Sequence, residues 1–210
     1  MSDQKKTDNF LMRCWLETIQ NVVGPNGLKS VLNYAHLEKY IDNFPPDNDL
    51  LEIPVKDAQD LFLSLYELFG SKGSRSLSLQ AGREFARIVM EGRSGLVKAV
   101  LVAARLAPEK TKMRLVLEKT VDTGNKWYTS SESGPIIELK EDDDYFFIVH
   151  RDRFESYEMT SQEPVCGIYT GMLQFLMKWI TGHEHEVKET ECRAIGNPSD
   201  VFRIEKEHKS

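Results

Sequence analysis

The chain has 210 residues, of which 40% are hydrophobic and 29% charged, the balance of a single globular domain able to bury a sizeable core. A net charge of −6 and the acidic run from Glu141 to Asp144 offer no footprint for a phosphate backbone, which argues against direct nucleic-acid binding. No window approaches the ~18 consecutive apolar residues of a membrane span. Three cysteines are too few for a disulfide framework and point to a reducing compartment, the cytoplasm, with thiols free for metal. Residues 1–7 lack the apolar stretch of a secretory signal and read as a flexible tail, leaving 8–206 as one domain.

Asp8 is placed to cap a helix whose apolar positions Phe10, Leu11, Cys14, Trp15, Ile19 and Val22 recur at three- and four-residue steps. Gly24-Pro25 should end it. A short helical segment over residues 27–41 runs into Asn43-Phe-Pro-Pro46, where two prolines impose a loop. Asp57 opens a second amphipathic helix, Ala58 to Phe69, closed by Gly70. The glycines of Gly70-Ser-Lys-Gly73 follow no strand, so they read as a helix-to-helix turn rather than a phosphate loop. In the next helix, Ser74 to Met90, the small pair Ala81-Gly82 would let a crossing helix approach closely. Two more helices are predicted, Ser94 to Ala107 and Pro108 to Asp122, the latter with proline at its first turn.

Beyond Gly124-Asn125 the apolar period changes from 3.6 to 2. Residues 136–140 and 144–149 form one predicted hairpin around the acidic turn, and residues 187–194 and 201–205 form another. Between them Pro164 to Ile180 reads as a helix with a broad apolar face. The expected fold is α+β, a helical layer packed on a four-stranded antiparallel sheet.

Two features in this half bear on function. Trp127, Tyr145, Phe147, Tyr169 and Phe175 are candidate linings of an internal apolar pocket, the kind of aromatic wall that suits a flat hydrophobic ligand. Cys166 heads the last helix and Cys192 ends a strand, with Glu189 and Asp200 near it. A strand, a turn and a returning strand would bring these four to one corner as an S2O2 metal site. His183-x-His185 lies close enough in sequence to be recruited there. His36 and His150 are further histidines of no assigned role. For catalysis, no nucleophile elbow, zinc-protease helix or dinucleotide fingerprint is legible, so the chain reads as a non-enzyme.

The segment Pro164-Val-Cys166, followed by Glu189-x-x-Cys192-x-x-x-Gly196-x-x-x-Asp200-x-Phe202-x-Ile204, resembles the 4-vinyl reductase (4VR) or hydrocarbon-binding domain family, which is similar in fold to core subunits of the transport-particle (TRAPP) complex. The 26-residue spacing of Cys166 and Cys192 agrees with that pattern and predicts a helix-to-sheet contact between them. Asn26-Gly-Leu28, Val31-Leu-Asn33 and the Tyr40 to Pro46 stretch extend the likeness over nearly the whole chain. In phenol- and toluene-sensing regulators with this domain the corresponding set, with cysteine in place of Asp200, holds zinc. The resemblance therefore implies zinc at Cys166, Glu189, Cys192 and Asp200. It also implies a homodimer and non-catalytic binding or sensing of a small hydrophobic ligand, whether an aromatic hydrocarbon, a lipid-like molecule or a tetrapyrrole. Two other functions fit the same likeness: a TRAPP-like adaptor acting through its surface, and an accessory to tetrapyrrole vinyl-group reduction.

Overall fold

Asp8 begins the helical half as its sequence predicts: its carboxylate accepts the Leu11 N–H at 2.7 Å and caps the first helix. The computed structural model describes residues 6–92, 106–127 and 135–208. In chain order the elements are β1 (Lys6–Asp8), α1 (Asn9–Tyr34), β2 (Leu51–Pro54), α2 (Val55–Gly92), α3 (Glu109–Trp127), β3 (Ile137–Glu141), β4 (Tyr145–His150), α4 (Gly167–Thr181), β5 (Val187–Glu191) and β6 (Asp200–Glu205). Short 3₁₀ turns cover Glu38–Tyr40 and Arg193–Ile195.

Gly24 and Gly70, predicted as stops, are breaks inside α1 and α2, where φ values of 77° and 67° interrupt the helical path before it resumes. Lys6 and Thr7, read from sequence as tail, are instead strand residues: β1 pairs antiparallel with β2, Thr7 opposite Ile53. The loop holding Pro45 and Pro46 is tied to the same corner, since Asn48 takes backbone and side-chain donors from Phe10 and Asn9. The helix predicted over 94–107 lies almost wholly outside the described residues.

One four-stranded antiparallel sheet, order β3-β4-β6-β5, forms the second layer, so the two predicted hairpins are joined through β4 and β6. Its inner face presents Phe146, Ile148, Phe202 and Ile204, all fully buried. Helix α4 supplies Leu173, Leu176, Met177 and Ile180 to the same core. The fold is thus the expected α+β arrangement of helices on one antiparallel sheet.

Helices α2 and α4 cross with almost no gap. A Cβ on Gly82 would sit 1.9 Å from the Ile168 carbonyl oxygen, and one on Gly171 would sit 2.1 Å from that of Leu79. The small residues read from sequence as a close-approach point serve a helix crossing. Substituting Asp8→Ala should remove the α1 cap and lower stability by about 1 kcal/mol, read as a shift in urea midpoint at unchanged m-value. An unchanged midpoint would show that the cap is dispensable.

Candidate metal corner

Helix α4 starts at Cys166, and two buried carboxylates serve its first amides. Glu189 on β5 accepts the Cys166 N–H at 2.9 Å, and Glu155 accepts the Ile168 N–H at 2.8 Å. Negative groups at a helix N-terminus satisfy its orphan donors and complement its dipole. The geometry that caps α4 also carries Glu189 to the cysteines. One ligand atom from each of Cys166, Glu189, Cys192 and Asp200 lies within 4.8 Å of the others, and all four residues are buried. The contact between Cys166 and Cys192 expected from their spacing is therefore present, fastening the head of α4 to the sheet.

Asp200 is held from outside the cluster. Its Oδ1 accepts the Arg193 N–H at 2.8 Å and its Oδ2 accepts the Ser156 hydroxyl at 2.7 Å. Each oxygen keeps a second lone pair, so these bonds orient the carboxylate without exhausting it. The backbone it binds is that of the 3₁₀ turn following Cys192, while Asn197 takes the Cys192 N–H at 3.0 Å. Glu189 Oε1 is buried with no hydrogen-bond donor among the described residues, and its neighbours in the cluster are sulfurs.

Electrostatics at the corner follow from burial and mutual hydrogen bonding. Burial, with Cys192 beside it, pushes the Glu189 carboxyl up to about 9. Burial also pushes the Cys166 thiol well up. The hydrogen bond from Cys166 lowers Cys192 to about 7, aided by backbone N–H groups at Val165 and Ala194. Without a cation the corner thus retains protons, which a metal would displace. Glu155, raised by burial, and Arg153, to which it is ion-paired, form the outer wall. Sequence reading missed both, together with Ser156. They lie in a loop with no periodicity, and only the fold sets them behind the ligands.

The five aromatic pocket candidates do not converge. Tyr169 is buried on the inner face, its ring 4.8 Å from Phe202 and 5.7 Å from His150, with the Arg153 guanidinium 4.7 Å away. Phe175 is partly buried on α4 against the core. Tyr145 and Phe147 alternate with the buried Phe146 and Ile148, so they stand on the opposite sheet face, where Arg203 covers Tyr145 at 4.6 Å. The placement of these two as pocket lining is corrected accordingly. The Trp127 side chain lies outside the described residues. An open cleft of about 910 Å³ between the end of α1 and α2 is walled by Glu38, Lys39, Lys56, Asp57 and Asp60, a charged lining unlike the expected apolar one. His36 is exposed on a turn near it, whereas His150 is buried and kept neutral by desolvation and by Arg153 and Arg193.

Fold and corner together define the class. Over nearly its whole length the chain adopts the fold of H-NOX proteins. The Fe(II) unliganded H-NOX protein from K. algicida aligns with a TM-score of 0.65 at 10% identity, covering 96% of this chain and 97% of that one. An H-NOX structure solved to probe heme distortion aligns at 0.58 and 14% identity, covering 100% and 96%. An oxygen-binding H-NOX domain related to soluble guanylate cyclases, in its oxygen complex, aligns at 0.54 and 14%, covering 94% and 92%. Residues 146–206 match the 4-vinyl reductase (4VR) domain family, so the resemblance read from the sequence holds over β4, α4, β5 and β6, the segment that contains all four corner residues. No curated protein matches the sequence. Among the described residues no helix is long and apolar enough to cross a membrane.

Proposed function

We propose that this chain is a non-catalytic domain that binds or senses a small hydrophobic molecule, with zinc at Cys166, Glu189, Cys192 and Asp200. The observation that carries the reading is a 4-vinyl reductase segment embedded in an H-NOX fold that spans the chain. H-NOX relatives are heme and oxygen-binding proteins, which favours a flat apolar ligand such as a tetrapyrrole or an aromatic hydrocarbon. Tyr169 and Phe175, both on α4, are the ligand contacts in this reading.

The corner fits zinc by its chemistry: two thiols, a buried carboxylate oxygen without a donor, and a second carboxylate oriented from behind. Closed, four-ligand sites of this kind are structural, and the ion would supply a cross-link between helix and sheet. A ligand that moved α4 would then work against a fixed N-terminal anchor and tilt the helix about it.

Native mass spectrometry of the full chain, purified without added ligand or metal, tests the reading together with displacement of a hydrophobic dye by hemin and by phenol. Retention of a small molecule, or displacement weakened by Phe175→Ala, is expected. A protein that retains nothing and releases no dye to either probe would sink the binder. It would favour a surface-acting adaptor, the reading that the half-buried outer sheet face of Tyr145, Phe147 and Val149 supports.

A further inference from the structure

A second cluster of metal-ligating side chains gathers beyond the other end of α4, whose 15 residues separate it from the cysteine corner by about 22 Å along the helix. We propose that Glu109, His183, His185 and His208 form a site for a borderline divalent transition metal, such as Zn2+, Ni2+ or Co2+. The four come from three places in the chain: the first turn of α3, the loop between α4 and β5, and the segment after β6.

The carboxylate of Glu109 is the centre of the group. Its Oε1 lies 3.1 Å from His185 Nε2 and 3.3 Å from His208 Nδ1. Glu109, His183 and His208 each offer one ligand atom within 4.8 Å of the others. The His183 and His208 rings stack at 4.1 Å and 12°, which sets both edges toward the same space. Ligands around a tetrahedral zinc, at ~2.0–2.2 Å from the ion, stand about 3.4 Å apart, close to the spacing found around Oε1.

His185 supplies the independent observation. Its side chain is fully buried, and its Nδ1 is 2.9 Å from the backbone carbonyl of Glu205. A carbonyl oxygen only accepts, so Nδ1 carries the proton and donates it. In the neutral ring Nε2 is then a bare lone pair aimed at a carboxylate oxygen. Neither Nε2 nor Oε1 makes a hydrogen bond of good geometry among the described residues. Two buried acceptors facing each other at this distance require a cation between them. Donation of the distal N–H to a backbone carbonyl is the arrangement that orients metal-bound imidazoles. A single added proton would satisfy His185 alone, whereas three imidazoles converge on this one carboxylate. Imidazole and carboxylate ligands select zinc, nickel or cobalt over calcium and magnesium, which prefer all-oxygen shells. Bound metal would clamp the C-terminal segment to the start of α3.

Ni2+ titration by calorimetry, comparing the full chain with a His183→Ala, His208→Ala double variant, decides the proposal. Both histidines are exposed, and the variant leaves the cysteine corner intact. The wild-type chain should bind one more equivalent than the variant, and His208→Ala alone should weaken that equivalent by about tenfold or more. Cobalt separates this from the corner, because a thiolate-to-cobalt charge-transfer band should persist in the double variant if the corner also binds. Paramagnetic Ni2+ should broaden the amide signals of residues 183–185 and 206–208 first. Equal stoichiometry in the two proteins, or broadening centred elsewhere, would overturn the proposal whatever the corner does.

Discussion

Added Zn2+ should raise the unfolding temperature of the wild-type chain, a chelator should reverse the rise, and Cys192→Ser should abolish it. Metal that binds only the folded chain stabilises by RT ln(1 + [L]/Kd), about 4 kcal/mol at a thousandfold excess over Kd. For a chain of this size that is a rise of roughly 8–16 °C. The effect is large because the ligands come from the head of α4, from β5, from the end of the strand at Cys192 and from β6, segments that separate on unfolding. Asp200→Cys should bind zinc more tightly than wild type, since a soft thiolate replaces a harder oxygen. Zinc bound to neither protein would mean that hydrogen bonds and packing alone hold the corner, with Asp200 serving Arg193 and Ser156.

Gly82→Ala and Gly171→Ala should each destabilise the chain by about 3 kcal/mol or more, although alanine is the better helix former by about 1 kcal/mol. The clash prevails because the atoms met are backbone carbonyls of the opposing helix, at 1.9 and 2.1 Å, and cannot swing aside as a flexible side chain would. To admit one methyl group, α2 and α4 must separate along their crossing and loosen the core on both sides. Thermal midpoints should fall by roughly 6–12 °C. The double substitution should cost less than twice the single one, because the first alanine has already opened the gap. Unchanged midpoints would show that the crossing can yield without loss and that its glycines are not required for space.

Local chemistry made much of this fold legible. Asp8 as a cap, Gly24 and Gly70 as helix breaks and Pro108 ahead of α3 each follow from the φ range or the donor inventory of one residue type. Cys166, Glu189, Cys192 and Asp200 could be grouped because a helix head and two nearby strands constrain where their side chains go.

Tertiary structure alone decided the rest. In β4 both alternating rows, Tyr145, Phe147 and Val149 against Phe146, Ile148 and His150, read as buriable, so period 2 could not say which row faced the helices. The seat of α4 on one side of the sheet chose the second row and turned Tyr145 and Phe147 outward. Joining the two hairpins through β4 and β6 is a pairing of backbone groups fifty or more residues apart, and backbone groups carry no sequence label. The same holds for Lys6 and Thr7, polar residues made into a strand by the free edge of β2. Glu109 and His208 meet across almost a hundred residues. Their proximity arises only when α3 and the end of β6 pack beside the loop that follows α4, because a side chain's nature fixes what it can bind and the fold fixes what it can reach.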